Sequence, residues 1–232
     1  MKELEEYYEK KLYPMQDGIL QIIKELELPF YLTGGTAISR YYSSIRYSDD
    51  LDLFVNNDKN FHTYVKKFYE KLQEREINKE YTIDKSKVIV GETNAQFFIQ
   101  KSDALLKIDF VNDIAPHFGN FIVDDVLGKI DSFENILSNK ITALFRYEPK
   151  DVVDIWILCK KFSFDFRGII NESRSKDLAV DPLSIYEILH TFPIEKLELI
   201  KWIKKPDYEI LSNDIKIIAE DILYGRQNSL MK

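Results

Sequence analysis

The chain has 232 residues and carries 32 Lys and Arg against 39 Asp and Glu, which gives a formal net charge of −7. An acidic protein of this kind is not a general nucleic-acid binder, although a local basic face could still hold RNA. Its hydrophobic content of 45% is enough for the core of one large domain or two small ones. The single cysteine, Cys159, excludes an internal disulfide framework, and no segment is apolar enough to cross a membrane. We therefore expect a cytoplasmic protein without a membrane partner.

Hydrophobic periodicity divides the chain into a part that mixes strands with helices and a purely helical part. The first part predicts helices near residues 2–13, 15–27, 35–43 and 58–75, and strands near residues 30–33, 50–55, 81–90, 95–101 and 105–111. Helical patterns dominate from about residue 132 to residue 224. This order predicts an α+β or α/β fold, in which an all-helical C-terminal half follows a sheet. The boundary is expected near residues 119–131.

A Gly-Gly turn follows the first predicted strand. Gly34 and Gly35 allow a sharp turn and the close approach of a ligand. The next residues, from Thr36, have a helical pattern, and a helix N-terminus offers unpaired amides and a positive dipole end that suit the phosphates of a triphosphate. Gly-Gly-Thr on its own is typical of an ordinary turn. It is not a P-loop, because the Gly-Lys-Ser/Thr ending is missing.

Two carboxylates, Asp50 and Asp52, lie on the second predicted strand. Side chains alternate along a strand, so both acids point to one face while Leu51, Leu53 and Val55 point to the other. Like charges on one face repel each other unless a cation lies between them, and Mg²⁺ commonly binds one or two carboxylates together with substrate phosphates. The alternative is that this Asp-x-Asp only caps a strand end or faces solvent.

A third carboxylate, Asp109, lies on a later strand and shares a face with Lys107. The residues between and beside them enter the core on the other face: Leu106, Ile108 and Phe110. Asp109 could complete a metal site and accept the proton of an attacking hydroxyl, or it could be an exposed strand acid. Together with the glycine turn, the three acids indicate a site for a nucleoside triphosphate and a divalent metal, as in a nucleotidyltransferase.

The segment from Asp131 to Tyr147 predicts a strong helix, which Asp131 and Glu134 would begin as a capping box variant. Lys140 lies beside its apolar stripe. A lysine in that place is usually a snorkelling surface residue, and the alternative is that its ammonium reaches triphosphate oxygens.

A second helix is predicted from Lys150 to Phe162, with Asp151 and Asp154 on one face near its N-terminus. The helix dipole favours acids there, which is one explanation. The other is that Asp154 orients Lys140 or Arg146. The two explanations are compatible.

Five motifs in order carry a family resemblance: Gly34-Gly35-Thr36-Ala37, Arg46-x-Ser48-x-Asp50-Leu51-Asp52-Leu53, Lys107-Ile108-Asp109-Phe110, Asn139-Lys140-x-x-Ala143-x-x-Arg146 and Lys150-Asp151-x-x-Asp154-Ile155. From about Tyr31 to Leu158 the chain resembles the abortive-infection nucleotidyltransferase toxins, the AbiEii/AbiGii group of type IV toxin–antitoxin systems. That group belongs to the DNA polymerase β-like nucleotidyltransferase superfamily. The resemblance implies a nucleotidyltransferase-type mixed sheet flanked by helices.

The resemblance also implies a role for each matching residue. The metal ligands would be Asp50, Asp52 and Asp109, with Asp109 completing the metal site or acting as base. The catalytic residues would be Asp50, Asp52, Asp109, Lys140 and Asp154. The nucleotide-binding residues would be Gly34, Gly35, Thr36, Arg46, Ser48, Lys140 and Asp151. Residues 1–125 would form the catalytic domain with its N-terminal helices, and residues 126–232 a helical domain that closes the nucleotide cleft.

The implied activity is the transfer of a nucleoside monophosphate from a nucleoside triphosphate, with Mg²⁺ or Mn²⁺, onto a hydroxyl. RNA, such as a tRNA 3′ end, is the leading acceptor, and a protein hydroxyl or a small molecule is an alternative. A toxin countered by a separately encoded antitoxin is implied by analogy. A different class of function also stays open at this point, namely a non-catalytic nucleotide-binding fold that serves as a regulatory partner.

Overall fold

The computed structural model describes residues 2–231. Within them the α-helices are α1 (Lys2–Tyr7), α2 (Tyr13–Glu25), α3 (Gly34–Ala37), α4 (Phe61–Ile77), α5 (Phe133–Ala143), α6 (Pro149–Lys161), α7 (Phe166–Lys176), α8 (Pro182–His190) and α9 (Tyr208–Tyr224). The strands are β1 (Tyr31–Thr33), β2 (Leu51–Asn56), β3 (Thr82–Ile83), β4 (Ile89–Val90), β5 (Asn94–Lys101), β6 (Ala104–Asp113), β7 (Ile122–Asp124) and β8 (Gly128–Ile130). The π-helical segments Tyr8–Leu12 and Ile38–Tyr42 follow α1 and α3. No helix among these residues is long and apolar enough to span a bilayer.

All eight described strands belong to one mixed sheet, in the order β3-β5-β6-β2-β1-β8-β7, with β4 also paired to β5. The pairs β2–β6 and β1–β8 are parallel, and the other pairs are antiparallel. The sheet and its helices come first in the chain, and the helices α5 to α9 make up most of the chain after residue 132. This order confirms the predicted fold class.

One face of the sheet is the core of its unit. The alternation predicted for β2 is confirmed, because Leu51, Leu53 and Val55 are buried while the residues between them are half-buried. Helix α4 packs on this face through Phe68, whose ring centroid lies 4.6 Å from that of Phe110 on β6. Burying these side chains on one face leaves the polar residues of β2 and β6 on the opposite face.

The chain folds into two compact units. The first comprises the residues up to Ala37, Ser48–Ala115 and Phe121–Asp131, and so contains the whole sheet. The second comprises Ile38–Tyr47, Pro116–Asn120 and the chain from Ser132 onward. Its central element is α6, whose residues from Asp151 to Cys159 are all buried. The division into domains at residues 125 and 126 stays a prediction.

Two predicted elements differ from the structure. The strand expected over residues 81–90 is two short strands, β3 and β4, because the Asp84 carboxylate accepts a hydrogen bond from the Ser86 amide and turns the chain into the 3-10 segment Lys85–Lys87. The boundary region of residues 119–131 contains the hairpin β7–β8. There the Asp124 carboxylate accepts hydrogen bonds from two turn amides.

The predicted cap of α5 is wrong by one residue. Ser132 is the N-cap, because its hydroxyl accepts a hydrogen bond from the Asn135 amide. Asp131 is fully buried and instead accepts a hydrogen bond of 2.6 Å from the Thr33 hydroxyl on β1. A buried carboxylate needs a donor, and Thr33 supplies one that the local sequence does not show.

Candidate active site

The three predicted acids lie together on the polar face of the sheet. Strands β2 and β6 pair in parallel with Asp52 directly opposite Asp109, so their side chains point the same way from strands about 4.8 Å apart. Asp50 immediately precedes β2 and, like Asp52, is half-buried. The register that the sequence could not give therefore brings the second and third acids side by side.

Asp109 is held by two neighbours. Gln96 lies opposite it on β5 and donates a hydrogen bond of 2.7 Å from Nε2 to Oδ1 of Asp109. The ammonium of Lys107 lies 2.6 Å from the other oxygen, Oδ2. Burial opposes the charge of Lys107, but its hydrogen bond to Asp109 and the charges of Asp109, Asp50 and Asp52 outweigh burial and raise the pKa of the lysine. Lys107 thus experiences the combined field of all three carboxylates.

The glycine turn lies directly against the side chain of Asp52. Gly34 has a φ of +68°, and a Cβ atom built on it would collide with the carboxylate of Asp52. Only glycine combines this left-handed backbone with such a close approach. Gly34 thus allows the close approach of a neighbouring side chain. The close approach of a ligand, which the sequence predicted, stays a prediction.

Thr36 ties α3 to the start of β2. It is fully buried, and its hydroxyl donates a hydrogen bond to the carbonyl of Asp50. This contact fixes the backbone that carries the acids, so Thr36 acts on the site through Asp50. Ser48 is half-buried, and its carbonyl accepts a hydrogen bond of 3.3 Å from Gln16 Nε2. Gly35 is buried within α3.

The donor chemistry of the acids fits a hard divalent cation. Within residues 2–231, no three His, Cys, Asp or Glu side chains form a complete metal-binding group. Mg²⁺ does not require one, because it usually takes one or two carboxylates and fills its remaining positions with water and substrate phosphates. Asp52 and Asp109 present carboxylate oxygens on one face, and Asp50 immediately precedes β2. Metal binding itself stays a prediction.

A second group of charged residues lies in the helical unit. Asp154 accepts two hydrogen bonds from Arg46, at 2.6 Å from Nε and 2.7 Å from Nη2. The Lys140 ammonium lies 2.7 Å from Asp154 and 2.8 Å from Asp151. Arg146 is the last member, and its Nη2 lies 2.7 Å from Oδ2 of Asp151. We call these five residues the ion network.

Burial and charge act against each other in this network. Burial opposes the charge of Lys140, yet Asp154 and Asp151 outweigh it and raise the pKa of the lysine. Burial likewise opposes ionisation of Asp154, but Arg46 and Lys140 hold the pKa of that carboxyl below its ordinary value. Lys140 and Asp154 are therefore both charged at neutral pH, and each depends on the other.

The ion network bears on the expectations for Lys140, Asp154 and Arg46. Lys140 does not snorkel to solvent, because it is only 8% exposed and its ammonium lies between two buried acids. Asp154 orients Lys140 and Arg46, whereas Arg146 is held by Asp151. Arg46 was expected in a nucleotide pocket. Its guanidinium also donates to the Tyr47 carbonyl and is 5% exposed, so a contact with nucleotide stays a prediction.

The connection between α5 and α6 brings the network residues together. After α5 the chain forms the 3-10 segment Leu144–Arg146, and Tyr147 then adopts a left-handed backbone with a φ of +56°. Pro149 starts α6, which is a favoured place for proline. This sharp turn brings Asp151 and Asp154 back to Lys140, although 11 residues separate Lys140 from Asp151.

The predicted site residues thus fall into two groups. The sheet unit contains Gly34, Gly35, Thr36, Ser48, Asp50, Asp52 and Asp109, and the helical unit contains Arg46, Lys140, Asp151 and Asp154. A shared nucleotide cleft stays a prediction. Sequence analysis placed Lys107 on the same face as Asp109 without giving it a role, and it missed Gln96. The contact with Gln96 depends on the register of β5 and β6.

Comparisons with known proteins agree with this architecture. A crystal structure of a provisionally assigned nucleotidyltransferase from H. pylori shares 17% identity with the chain, at a TM-score of 0.59 over 92% of this chain and 96% of that one. The structure of JHP933 from Helicobacter pylori shares 18% identity, at a TM-score of 0.58 over 92% and 93% of the two chains. At these identities the likeness is one of fold. No curated protein matched the chain.

The family follows from the sequence itself. The family described as "Nucleotidyl transferase AbiEii toxin, Type IV TA system" matches residues 19–224, which include both groups of site residues. The chain belongs to the AbiEii family of nucleotidyltransferase toxins and is a nucleotidyltransferase.

Proposed function

We propose that this nucleotidyltransferase uses Mg²⁺ or Mn²⁺ to transfer a nucleoside monophosphate from a nucleoside triphosphate onto a hydroxyl of RNA, such as a tRNA 3′ end. The observation that carries the proposal is the register of β2 and β6, which places Asp52 beside Asp109. The charge of Asp50 also acts on Lys107, the neighbour of Asp109. Carboxylates that lie side by side repel one another. A divalent cation is the ligand that such a cluster favours.

Asp50, Asp52 and Asp109 would hold the cation, which when bound stabilises the charge on the transferred phosphoryl group. The attacking hydroxyl oxygen forms a bond to the α-phosphorus, and the bond from that phosphorus to the β-phosphate oxygen breaks. Asp109 accepts the hydroxyl proton, and pyrophosphate leaves. The hydrogen bond from Gln96 to Oδ1 fixes the orientation of the Asp109 carboxylate on the sheet.

Each of the two units has a feature that suits phosphate oxygens. The amides at the start of α3 are unpaired within the helix, as at any helix N-terminus. The Lys140 ammonium has acceptors at Asp151 and Asp154 among the described residues, so one of its three N–H groups remains for a phosphate oxygen. Asp151 and Asp154 then act as residues that keep Lys140 charged and fixed in direction.

The acceptor is inferred from the family. The type IV toxin description implies a target whose modification stops growth, and RNA 3′ ends carry free hydroxyl groups. The net charge of −7 disfavours broad binding to RNA, so a local surface would recognise the acceptor. A separately encoded antitoxin would limit the toxicity.

We expect Asp52→Asn to abolish transfer while the protein stays folded, because the substitution removes a ligand charge without changing side-chain volume. The assay supplies each of the four nucleoside triphosphates in turn, radiolabelled at the α-phosphate, with Mg²⁺ or Mn²⁺ and total tRNA. Loss of at least about a hundredfold in rate is expected for removal of a metal-binding or transition-state charge. Asp103→Asn is the matched control, since it removes an exposed carboxylate from the same unit.

The outcomes separate the parts of the proposal. Label on RNA that depends on metal and on Asp52 supports it and identifies the nucleotide. Label on the protein alone, or on neither, argues against RNA as acceptor. Equal rates for wild type and Asp52→Asn would remove the acids from the reaction.

A further inference from the structure

We propose that Lys107 is a built-in cation of the carboxylate cluster, which a divalent metal has to displace from Asp109, so that metal and nucleotide bind cooperatively. The inference rests on the proposed metal dependence. It concerns a residue that the sequence motifs place beside Asp109 without assigning it a role.

The first step of the argument is geometric. Lys107 precedes Asp109 by two residues on β6, so both side chains leave the same face of the sheet. The ammonium lies 2.6 Å from Oδ2 of Asp109, and the Gln96 amide occupies Oδ1 at 2.7 Å. Both oxygens of Asp109 therefore have a donor already. A metal that binds this carboxylate has to replace one of the two donors. Gln96 is held in place by the pairing of β5 with β6, so Lys107 on Oδ2 is the donor that can leave.

The second step concerns charge. The Lys107 ammonium is in direct contact with Asp109, which stands beside Asp52 on the neighbouring strand. It therefore adds a positive charge at the carboxylate that the metal would use. A divalent cation that enters beside the ammonium gains the attraction of the acids but meets the repulsion of the lysine. With Lys107 in place, metal affinity is lower than three carboxylates alone would give.

The surroundings make this repulsion effective. The side chain of Lys107 is 32% exposed and that of Asp109 is 20% exposed, so solvent screens the pair only in part. The pair Lys11–Asp103 in the same unit has a similar contact of 2.7 Å, but its side chains are 45% and 62% exposed. The second pair offers a control with equal chemistry and stronger screening.

The third step links the lysine to the nucleotide. A lysine ammonium sits on a flexible four-carbon stem, so it can leave Oδ2 without a change in the strand. Triphosphate oxygens would then accept the released ammonium, while they also complete the shell of the metal. Nucleotide binding thus removes the competitor for the metal. Each ligand should tighten the binding of the other by the same factor.

The test measures Mn²⁺ binding without turnover, from the electron paramagnetic resonance signal of free Mn²⁺. Wild type, Lys107→Gln, Lys107→Arg and Lys11→Gln are titrated with and without a non-hydrolysable triphosphate analogue. We expect Lys107→Gln to bind Mn²⁺ alone about tenfold more tightly than wild type, and to lose most of the gain that the analogue gives wild type. Lys11→Gln should behave as wild type. Lys107→Arg, which keeps the charge, should bind Mn²⁺ no more tightly than wild type.

Several results would overturn the inference. Equal or weaker Mn²⁺ binding by Lys107→Gln would show that the lysine does not compete, while saturable Mn²⁺ binding by wild type would leave the proposed function intact. Tighter binding by the charge-keeping Lys107→Arg would have the same meaning, and it applies even if Lys107→Gln does not fold. No Mn²⁺ binding by wild type, with or without nucleotide, would instead contradict the metal dependence on which both proposals stand.

Discussion

The two charged clusters of this protein are built from the same residue types and differ in balance. On the sheet, Lys107 contacts Asp109 and lies in the field of Asp50 and Asp52, and all four side chains are partly exposed. The cluster therefore holds like charges on one side of the sheet within reach of solvent. It is held in place by glycine and threonine contacts to the backbone at Gly34 and Thr36.

The ion network of the helical unit has the opposite balance, with three cations, Arg46, Lys140 and Arg146, against Asp151 and Asp154. Both acids are fully buried. Its charges satisfy one another, so it can hold a lysine in a fixed direction at low exposure. The difference teaches that the sheet cluster keeps its acids partly exposed on one face, whereas the network keeps its own cations in place. Substitution in the sheet cluster should therefore lower activity, and substitution in the ion network should lower stability.

The largest effect on stability is expected for Asp154→Asn. The change leaves Arg46 and Lys140 buried with one charge partner fewer, and breaking a buried ion pair on one side typically lowers the free energy of unfolding by about 3–5 kcal/mol. Asp52→Asn should change it by less than about 1 kcal/mol, because it removes one of three like charges from a partly exposed face. Urea unfolding of both variants against wild type measures the contrast. Equal losses in the two variants would show that the clusters do not differ in this way.

The fall in the free energy of unfolding at acid pH tests the same contrast between the two clusters. Because the pKa of Asp154 is lower in the folded protein, its contribution is complete above the unfolded value and is lost as pH falls through the folded value. Below a pH of about 3.9, this group alone makes stability fall with a slope of up to about 1.4 kcal/mol per pH unit. The Asp154→Asn variant should lack that component, so its stability should approach that of wild type as the pH is lowered.

An intermediate effect is expected for Gly34→Ala, which tests how the sheet cluster is held. The new Cβ would meet the Asp52 carboxylate, and alanine is strained at a φ of +68°. We expect a loss of about 1–3 kcal/mol in the free energy of unfolding, together with lost transfer activity, because Asp52 has to move. The matched control is Gly168→Ala in α7, where a Cβ meets no atom within 4 Å. That change should raise stability by up to about 1 kcal/mol through helix propensity. Full activity in Gly34→Ala would mean that Asp52 tolerates displacement.

The sequence predicted those parts of the site that depend on local periodicity. Alternation along a single strand was enough to send Leu51, Leu53 and Val55 into the core and to leave Asp52 on the other face. It could not show that β2 lies next to β6, or that Asp52 stands opposite Asp109. Strand order and register arise from contacts between distant segments, which one strand's pattern does not contain.

The errors have the same origin. Asp131 and Ser132 are both good helix caps, and the choice between them depends on Thr33, which lies 98 residues away from Asp131. The local sequence left two alternatives for Lys140, a surface position or a site position. Its burial depends on Asp154, which also pairs with Arg46, a residue 108 positions away. The strands β7 and β8 have three residues each, which is too short for a period of two to stand out.

The smallest effect is expected at Arg146, the exposed end of the ion network. Its side chain is 59% exposed, whereas its partner Asp151 is fully buried and keeps Lys140 as a second cation. Arg146→Gln should therefore lower the free energy of unfolding by less than about 1 kcal/mol, as is usual for exposed pairs. The loss should shrink at an ionic strength of about 1 M, because salt screens an exposed charge, while the loss in Asp154→Asn should persist. Urea unfolding at low and high salt measures both. A large, salt-independent loss at Arg146 would show that the network is cooperative to its edge, and that its exposed end is as necessary as its buried centre.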